Sequence, residues 1–369
     1  MRLRKRILKI HLWFGLISGI IFMIVSITGT LFVFSDEIID IVGGTAKYVA
    51  VPYRSERLPP EKLILSFKER HPNRKIFYLD FYKESTRSIR IASSDKELKN
   101  FSYTYLNPYT GEELKSTRSY WFFYLLAQLH RKLLLGDIGH TIVALATLIF
   151  SIELIFGLIL WYPRRWSSSV RKAIFTIKRK AGWKRMNYDL HKILGFYALV
   201  PALIIAITGL TMAYKPLGGF IQKILGGNPN AMEISVLYHS LYDEDRKHQS
   251  LAPIIDSTFV HYPSAKQMRI GFPFRPKETI YRCAAAKYIG ILNMIDGVDF
   301  CLDVYTGKQI EYPKDIKQYQ KNERVIYDLH SGYWWGIWGK IITFLVGLIC
   351  SSLPVTGFVL WRNHRRKKV

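Results

Sequence analysis

Four long apolar stretches constrain the fold of this chain more than any other feature. A helix needs about 20 apolar residues to cross the hydrocarbon core of a bilayer. Residues 12–34, 141–162, 193–214 and 341–361 all reach that length. Only the second stretch contains an acidic or basic residue, Glu153. The sequence therefore predicts an integral membrane protein with four transmembrane helices.

The chain is strongly basic, with 53 Lys and Arg against 28 Asp and Glu, and the placement of this charge indicates an orientation. Residues 1–11, 163–188 and 362–369 contain 5, 9 and 5 basic residues and no acidic residue. Short basic segments beside membrane spans mark the cytoplasmic side, so both termini and the middle loop are predicted to be cytoplasmic. The same segments predict contact with anionic membrane lipids and argue against nucleic acid as the partner.

Histidines and glycines recur at fixed offsets, which predicts a duplicated unit. His130 matches His330 at an offset of 200, and His11 matches His191 at an offset of 180. The other matched positions are Gly136 and Gly336, Gly139 and Gly339, Gly157 and Gly357, Trp161 and Trp361, Gly15 and Gly195, Thr28 and Thr208, and Gly29 and Gly209. Each unit is predicted to be a span, an external domain and a span. Two units in one orientation would form a four-helix bundle around a pseudo-two-fold axis.

The repeat also sets the predicted domain boundaries. Residues 1–34 form the cytoplasmic N-terminus and first span, 35–139 the first external subdomain, 140–162 the second span, 163–190 the basic cytoplasmic loop, 191–214 the third span, 215–339 the second external subdomain, and 340–369 the fourth span with a basic cytoplasmic C-terminus.

Both external subdomains are expected to be α+β. Each contains a segment with helical spacing, PPEKLILSFKERHP at 59–72 and LAPIIDSTFVHYP at 251–263, followed by three strand-like segments. The predicted strands are 75–82, 88–92 and 101–107 in the first subdomain and 266–272, 279–286 and 298–305 in the second.

Four of the ten histidines occupy matched positions, and the predicted axis brings them together as two pairs. His11 and His191 begin spans on the cytoplasmic side, whereas His130 and His330 precede spans on the external side. A pair of imidazoles across an axis suits the two axial positions of a haem iron. Zinc is disfavoured because two histidines without a cluster of Cys or carboxylate make an incomplete zinc site. The alternative is that these histidines pack or form hydrogen bonds between helices.

Glycines on the first and third spans are predicted to make room for the cofactor. Gly15 and Gly195 lie one turn after their histidines and on the same face. Gly29 and Gly209 return to that face five turns after the histidines, about 27 Å along the helix. The absence of side chains at these positions would let a macrocycle approach the helix.

Three kinds of polar residue remain as weaker candidates. Thr28 and Thr208 adjoin the second pair of glycines and are predicted to donate to haem propionates. Glu153 lies in mid-membrane, where an ionisable group is unfavourable and often functional, although Leu353 stands at the matched position. Glu153 either sits protonated at a helix contact or serves proton movement. His140 is an interfacial residue or a reserve ligand for the outer haem.

Cys283 and Cys301 lie on apolar runs on either side of the segment YIGILN. A hairpin there would bring the two residues opposite each other, and an oxidising compartment would then allow a disulfide. A disulfide and two free thiols are both open alternatives.

Six motifs follow one another in a specific order along the chain. They are KIHLWFGLISG at 9–19, Thr-Gly pairs at 28 and 208, NPYTGE at 107–112, LHRKLLLG at 129–136, GLILWYPRRW at 157–166 and DLHKILGFY at 189–197. Together they resemble the PepSY-associated transmembrane helix proteins of bacterial inner membranes, over nearly the whole chain. One departure is Phe156, where the family often has Thr before Gly157; the fourth span retains that residue as Thr356.

The resemblance implies a ferric-siderophore reductase in the bacterial inner membrane, serving iron uptake. It implies two b-type haems per chain, one held by His11 with His191 and one by His130 with His330. Electrons would come from the cytoplasm or the membrane pool and reach a ferric siderophore on the periplasmic side. No flavin-binding motif is visible, so a quinol or a flavoprotein is expected as a separate donor. The alternative is a haem-free membrane-anchored protein whose PepSY domains bind or regulate a partner.

Overall fold

The computed structural model describes residues 2–178, 181–291 and 294–365 and divides the chain into two compact units. The helical unit consists of the described residues of Met1–Val33, Leu125–Pro229 and Gln318–Val369. The sheet unit consists of those of Phe34–Tyr124 and Asn230–Lys317. Parts of the basic segments, residues 179–180 and 366–369, and residues 292–293 of YIGILN lie outside the described residues.

Helices provide most of the regular structure. They are α1 (Arg2–Phe32), α2 (Ser35–Gly43), α3 (Pro60–Arg70), α4 (Ser119–Lys132), α5 (Gly136–Trp161), α6 (Ser168–Phe175), α7 (Trp183–Ala213), α8 (Lys215–Ile224), α9 (Ala231–Ile234), α10 (Leu251–His261), α11 (Lys314–Ser331) and α12 (Gly336–Arg365). Short 3₁₀ segments occur at Gly44–Lys47, Ser235–Tyr238 and Tyr333–Trp335.

Four helices in the described part of the chain, α1, α5, α7 and α12, are long and apolar enough to cross a membrane. They coincide with the four apolar stretches, which confirms the prediction of a multi-pass membrane protein. The predicted basic loop, 163–190, is not a loop throughout. It contains α6 and the first two turns of α7, which begins at Trp183. A helix extends past its apolar stretch here because Lys and Arg have high helix propensity outside the bilayer.

The four long helices form a bundle in which α1 and α7 each pack against both α5 and α12. This arrangement places α1 and α7 on one diagonal of the bundle. The core between them is apolar, and Phe22 on α1 stacks on Phe150 of α5 with ring centres 3.6 Å apart. Ala198, Ala202 and Ala206 lie four residues apart on one face of α7 and are all buried. Such small side chains let helix backbones approach closely in a membrane.

The strands of the sheet unit come from both segments that the sequence assigns to separate subdomains. They are β1 (Arg74–Tyr82), β2 (Ile89–Asp95), β3 (Ser102–Leu106), β4 (Glu113–Thr117), β5 (Gln267–Gly271), β6 (Ile280–Ala286), β7 (Tyr288–Ile289), β8 (Met294–Ile295) and β9 (Val298–Asp303). Both predicted helices and all six predicted strands occur, as α3 and α10 and as β1, β2, β3, β5, β6 and β9.

The two segments do not form separate subdomains, in contrast to the expectation from the sequence. Within the described residues they build one seven-stranded antiparallel sheet in the order β4-β3-β2-β1-β5-β6-β9. Strands β1 and β5 meet at the centre, where Tyr78 pairs with Gly271 and Tyr82 with Gln267. Each segment alone would leave the backbone groups of one of these strands unpaired at an edge, and pairing the two edges removes that cost.

One face of the sheet packs its main apolar core against α3 and α10, with Leu63, Phe67, Leu79 and Ile270 all fully buried. The inner faces of these elements are apolar at helical and strand spacing, which is why the sequence identified them.

A buried ion cluster joins the central strands on the opposite side of the β1 backbone. Asp80 on β1 is fully buried and accepts hydrogen bonds from Arg90 Nε on β2 at 2.8 Å and from Arg269 Nε on β5 at 2.6 Å. Burial alone would raise the pKa of Asp80, but the two guanidinium groups outweigh burial and hold that pKa below its usual value. The cluster therefore connects the two sequence segments by charge as well as by backbone pairing.

The structure resolves the alternatives for the cysteines of the sheet unit. Both are free. Cys283 pairs with Phe300 across β6 and β9, and Cys301 pairs with Arg282, so the two thiols are one position out of register. Neighbouring positions in a strand point to opposite faces of the sheet, which keeps Cys283 and Cys301 apart.

Candidate functional site: two histidine pairs

The four matched histidines meet as two pairs inside the helical unit. In the first histidine pair, His11 and His191, the ring centres lie 6.4 Å apart with an interplanar angle of 74°. In the second histidine pair, His130 and His330, the ring centres lie 6.1 Å apart at 64°. The pairings are those predicted from the repeat.

The first histidine pair comes from α1 and α7, the two helices that lie diagonally opposite each other in the bundle. His11 lies on α1 and His191 on α7, near the beginning of each helix. Both helices pack on α5 and α12 but face each other across the bundle interior. Their histidines therefore point inward at the same depth.

The second pair is placed by two helices that the sequence had not predicted. His130 lies at the end of α4 and His330 at the end of α11, each just before a long helix. The chain reverses there through Gly136 and Gly336, at φ of +61° and +56°, a conformation that suits glycine.

A second matched glycine permits each reversal by close backbone approach. A Cβ at Gly139 would collide with the carbonyl of Lys132, and a Cβ at Gly339 with the carbonyl of Gly332. The glycines that recur after each histidine thus fold the histidine helix back against the span that follows it.

Each histidine ring rests against a glycine of a neighbouring helix. A Cβ built on Gly29 would lie 2.8 Å from Cε1 of His130, and one on Gly209 would lie 2.9 Å from Cε1 of His330. His11 lies more loosely against Gly157, at 3.9 Å, and His191 against Gly357, at 3.4 Å. The second pair is therefore the more tightly held.

These contacts correct the role expected for the glycines. Histidine rings occupy the space beside Gly29 and Gly209, which the sequence analysis had assigned to a macrocycle. A Cβ on Gly15 would lie 3.2 Å from Glu153 Oε2, and one on Gly195 would lie 3.7 Å from Leu353. Sequence spacing located the gaps but not their occupants, because the occupants come from other helices.

The second histidine pair is oriented by backbone carbonyls. Nδ1 of His130 lies 2.8 Å from the carbonyl oxygen of Val25, and Nδ1 of His330 lies 2.9 Å from that of Ile205. A carbonyl can only accept, so Nδ1 carries the proton in both rings. Nε2 is then the nitrogen with a free lone pair.

The predicted threonines support the same rings. Thr28 and Thr208 donate their hydroxyl protons to carbonyls of the preceding turn, Ile24 at 2.8 Å and Ile204 at 2.7 Å. Their oxygens lie 3.4 Å from Nδ1 of His130 and 3.2 Å from Nδ1 of His330. The threonines therefore contact the histidines. Because each hydroxyl has a single proton and donates it to a backbone carbonyl, it does not have the free proton that the predicted bond to a haem propionate needs.

The first pair uses side chains instead of carbonyls. Nδ1 of His191 donates to the hydroxyl oxygen of Thr356 at 2.8 Å, since the Thr356 proton is directed to carbonyls on its own helix. Nδ1 of His11 lies 3.3 Å from Oε2 of Glu153. In three of the four rings Nδ1 is hydrogen-bonded to an acceptor, which leaves Nε2 available to a metal. In His11, Nδ1 lies within ion-pair distance of a carboxyl oxygen.

The spacing of the rings fits two imidazoles on opposite sides of one ion. With metal–nitrogen bonds of about 2.0 Å, ring centres lie about 6 Å apart for opposite ligands and about 5 Å apart at a tetrahedral angle. Both observed separations fall near the first value. Among the described residues, no group of three or more His, Cys, Asp or Glu could hold a metal. The two imidazoles of each pair would fit the two axial positions of a haem iron.

Other candidate residues lie apart from the second pair. Among the described contacts, the ring partner of His130 is His330, and none places His140 beside either ring. Gly157, Gly357 and Thr356 contact the first pair but were not assigned to the site from the sequence. The signal for the two glycines was present, because they are matched at an offset of 200.

Four helices that are long and apolar enough to cross a membrane, together with two histidine pairs, define a multi-pass membrane protein with two matched histidine sites. Comparison with protein families identifies the family to which it belongs. A model of the PepSY-associated TM region matches residues 8–364. The chain therefore belongs to the PepSY-associated TM region family. No curated protein matches the sequence.

Proposed function

We propose that this protein carries electrons across the membrane through two b-type haems, one between the imidazoles of each histidine pair. The observation that supports the proposal best is the presence of two pairs at opposite ends of the bundle. His11 and Gly29, the contact of His130, are 18 residues apart on α1. That separation corresponds to about 27 Å along the helix axis, most of the thickness of a bilayer.

When bound, haem iron in each pair would accept and release one electron at a time. The first task of the chain's residues in this process is to orient the imidazoles. Val25, Ile205 and Thr356 accept the Nδ1 protons of His130, His330 and His191, which would leave Nε2 of each ring for the iron. Such partners raise the basicity of the ligand and fix its orientation.

The bundle interior between the pairs also contributes to electron transfer. It is filled by Phe22, Phe150, Leu154 and the small residues of α7, all of which are buried. A dry apolar medium of this kind limits the solvent reorganisation that accompanies each change of charge. The matched contacts in the two halves further support the proposal that the chain is a duplicated unit.

The proposed acceptor is a ferric siderophore on the periplasmic side of a bacterial inner membrane, as family resemblance suggests. One electron converts Fe(III) to Fe(II), which hard oxygen donors hold much less strongly. The electron would originate from a quinol or a flavoprotein. The sheet unit is the proposed contact region for the siderophore because it contains the residues assigned to the external side.

Haem stoichiometry and reduced-minus-oxidised spectra of the purified protein test the cofactor. We expect two haems per chain in the wild type and one in His11→Ala or His330→Ala, because each substitution removes an axial ligand from one pair. His261→Ala, an exposed histidine of the sheet unit, serves as the matched control and should retain two. His140→Ala should also retain two.

A wild-type protein without a Soret band would overturn the proposal and favour the haem-free partner-binding alternative. The acceptor is tested separately with the reduced protein, by adding a ferric trihydroxamate and trapping Fe(II) with a chromogenic chelator. We expect haem oxidation and Fe(II) in a ratio of one to one. The gallium(III) form of the same chelate should leave the haems reduced, and equal oxidation by both would contradict ferric reduction.

A further inference from the structure

The first histidine pair is asymmetric at one position. In the second half of the chain, Thr356 accepts the Nδ1 proton of His191. The matched residue in the first half is Phe156, whose side chain has no hydrogen-bonding group. His11 therefore lacks the partner that its counterpart has.

Glu153 occupies the place where that partner is missing. Its Oε2 atom lies 3.3 Å from Nδ1 of His11 and faces Gly15, whose missing side chain makes room for it. The matched residue, Leu353, lies against Gly195 in the same way and offers only methyl groups. One half thus has Leu and Thr at these two positions, and the other has Glu and Phe.

The environment leaves Glu153 no other described partner. Its second oxygen, Oε1, is buried without a hydrogen bond among the described residues, and so is Nδ1 of His11 apart from this ion-pair contact. An unpaired polar atom in an apolar setting is strongly destabilising. A carboxyl group would not persist here as mere packing, because Leu fills the equivalent space in the other half.

We infer that Glu153 is the positioning residue for His11: its carboxyl oxygen accepts the Nδ1 proton and presents Nε2 to the cofactor. This inference rests on the proposed haem-binding function. An ionised carboxylate that accepts the Nδ1 proton raises the basicity of the imidazole. With haem bound, His11 would then be the stronger electron donor of the first pair, and the reduction potential of that haem would be lower than with two hydroxyl partners.

Two variants introduce, at positions 153 and 156, the residues found at the matched positions 353 and 356. Glu153→Leu removes the acceptor by copying Leu353, and Glu153→Leu/Phe156→Thr also supplies the hydroxyl by copying Thr356. Asp137→Asn on the same helix removes a carboxylate from a fully exposed side chain and is the control. The measurements are haem stoichiometry, a spectroscopic redox titration of each haem, and ¹⁵N chemical shifts of labelled histidine side chains in haem-depleted full-length protein.

Glu153→Leu is expected to lose one haem or to raise the potential of one haem while the other is unchanged. The double variant should restore occupancy with the potential still raised. In the haem-depleted protein, one histidine should lose its Nδ1–H form in Glu153→Leu and regain it in the double variant. If Glu153→Leu leaves potentials, occupancy and tautomers as in the wild type and in Asp137→Asn, Glu153 does not position His11.

The tautomer measurement separates this inference from the proposed function. A wild type without haem would refute the proposed function, yet the ¹⁵N shifts would still report whether Glu153 holds the proton of His11. Conversely, if two haems bind and their occupancy, their potentials and the histidine tautomers do not change in Glu153→Leu, the proposed function stands and the inference is refuted.

Discussion

At the scale of single residues, the site depends on glycines that receive side chains from other helices. Gly29 and Gly209 contact the rings of the second pair, whereas Gly157 and Gly357 contact the first pair at longer distances. The missing methyl group therefore matters to a different extent at each position. This difference allows a comparison in which the substitution is the same and only the clearance changes.

We predict that Gly29→Ala displaces the ring of His130 and that Gly157→Ala leaves His11 in place. The added Cβ would lie 2.8 Å from Cε1 of His130 in the first variant and 3.9 Å from Cε1 of His11 in the second. The first distance requires movement and the second is an ordinary van der Waals contact. Haem content per chain should fall from two to about one in Gly29→Ala only.

The same variants include their own control for helix stability. Alanine favours a helix over glycine by about 1 kcal/mol at either site. A general gain in helix stability would therefore affect both variants equally and would not produce a difference in haem content between them. Equal haem content in both variants would contradict the proposed contact between Gly29 and His130.

The candidate residues of the site show how far sequence could lead at this scale. The four histidines were found because they recur at matched offsets in the sequence, and the structure brings them together in the predicted pairs. The contacts of the glycines and of Glu153 were not predicted, since they depend on which helix lies opposite. Periodicity in a sequence shows which residues share one face of a helix, but it does not show which other helix packs against that face.

At the scale of elements, the central pair of strands joins segments that lie far apart in the sequence. Asp80 on β1 is the shared partner of Arg90 on β2 and Arg269 on β5. Its side chain is fully buried. Removal of its charge would leave two guanidinium groups in the interior without their counter-ion.

We predict that Asp80→Asn strongly destabilises the sheet unit. Loss of one partner of a buried ion pair costs about 3–5 kcal/mol, because the remaining charge stays desolvated. Thermal unfolding in detergent, followed by circular dichroism, should show a lower midpoint than the wild type. Glu97→Gln, which breaks a pair with Lys99 in which both side chains are 71% exposed, is the control and should not change the midpoint.

Sequence patterns predicted elements better than their assembly. The helices α3 and α10 and six strands were identified from apolar spacing and flanking turn residues. The pairing of β1 with β5 was not predicted, because the residue pattern of a strand does not show which other strand it pairs with. Strand β4 was also missed, and its alternation is weak because its exposed positions, Lys115 and Ser116, adjoin one another.

The helices α4 and α11 were missed for a different reason. Both cross from the sheet unit into the helical unit, and their sequences combine residues suited to each. The helix α11, for example, begins with charged residues and ends at His330 and Ser331. A pattern search that separates apolar spans from external domains divides such helices at the boundary.

At the scale of the whole molecule, charge rather than structure determines the predicted orientation. The four long helices establish that the protein is multi-pass, but a bundle alone does not distinguish one side of a membrane from the other. The asymmetry is in the segments between the spans, where 19 of the 53 basic residues lie in three short stretches. Basic residues near span ends are retained on the cytoplasmic side during insertion.

We predict that residues 1–11, 163–188 and 362–369 share the cytoplasmic side and that residues 35–139 and 215–339 lie on the other side. Fusions of a fluorescent protein that matures only in the cytoplasm, and of a phosphatase active only outside it, measure this directly. A fusion after Val369 should be fluorescent without phosphatase activity. A fusion at the exposed residue Tyr53 should show the reverse pattern.

A matched charge variant shows whether the basic residues cause the orientation. Substitution of Arg164, Arg165, Arg171 and Lys172 by Gln removes four of the nine positive charges of the middle loop. It should reduce fluorescence of a fusion within that loop while leaving the apolar spans unchanged. Under the proposed function, the side also determines which histidine pair would receive the electron first, since His11 and His191 adjoin the basic segments. Phosphatase activity from a fusion after Val369 would reverse the proposed direction of electron transfer, although the two pairs and their spacing would be the same.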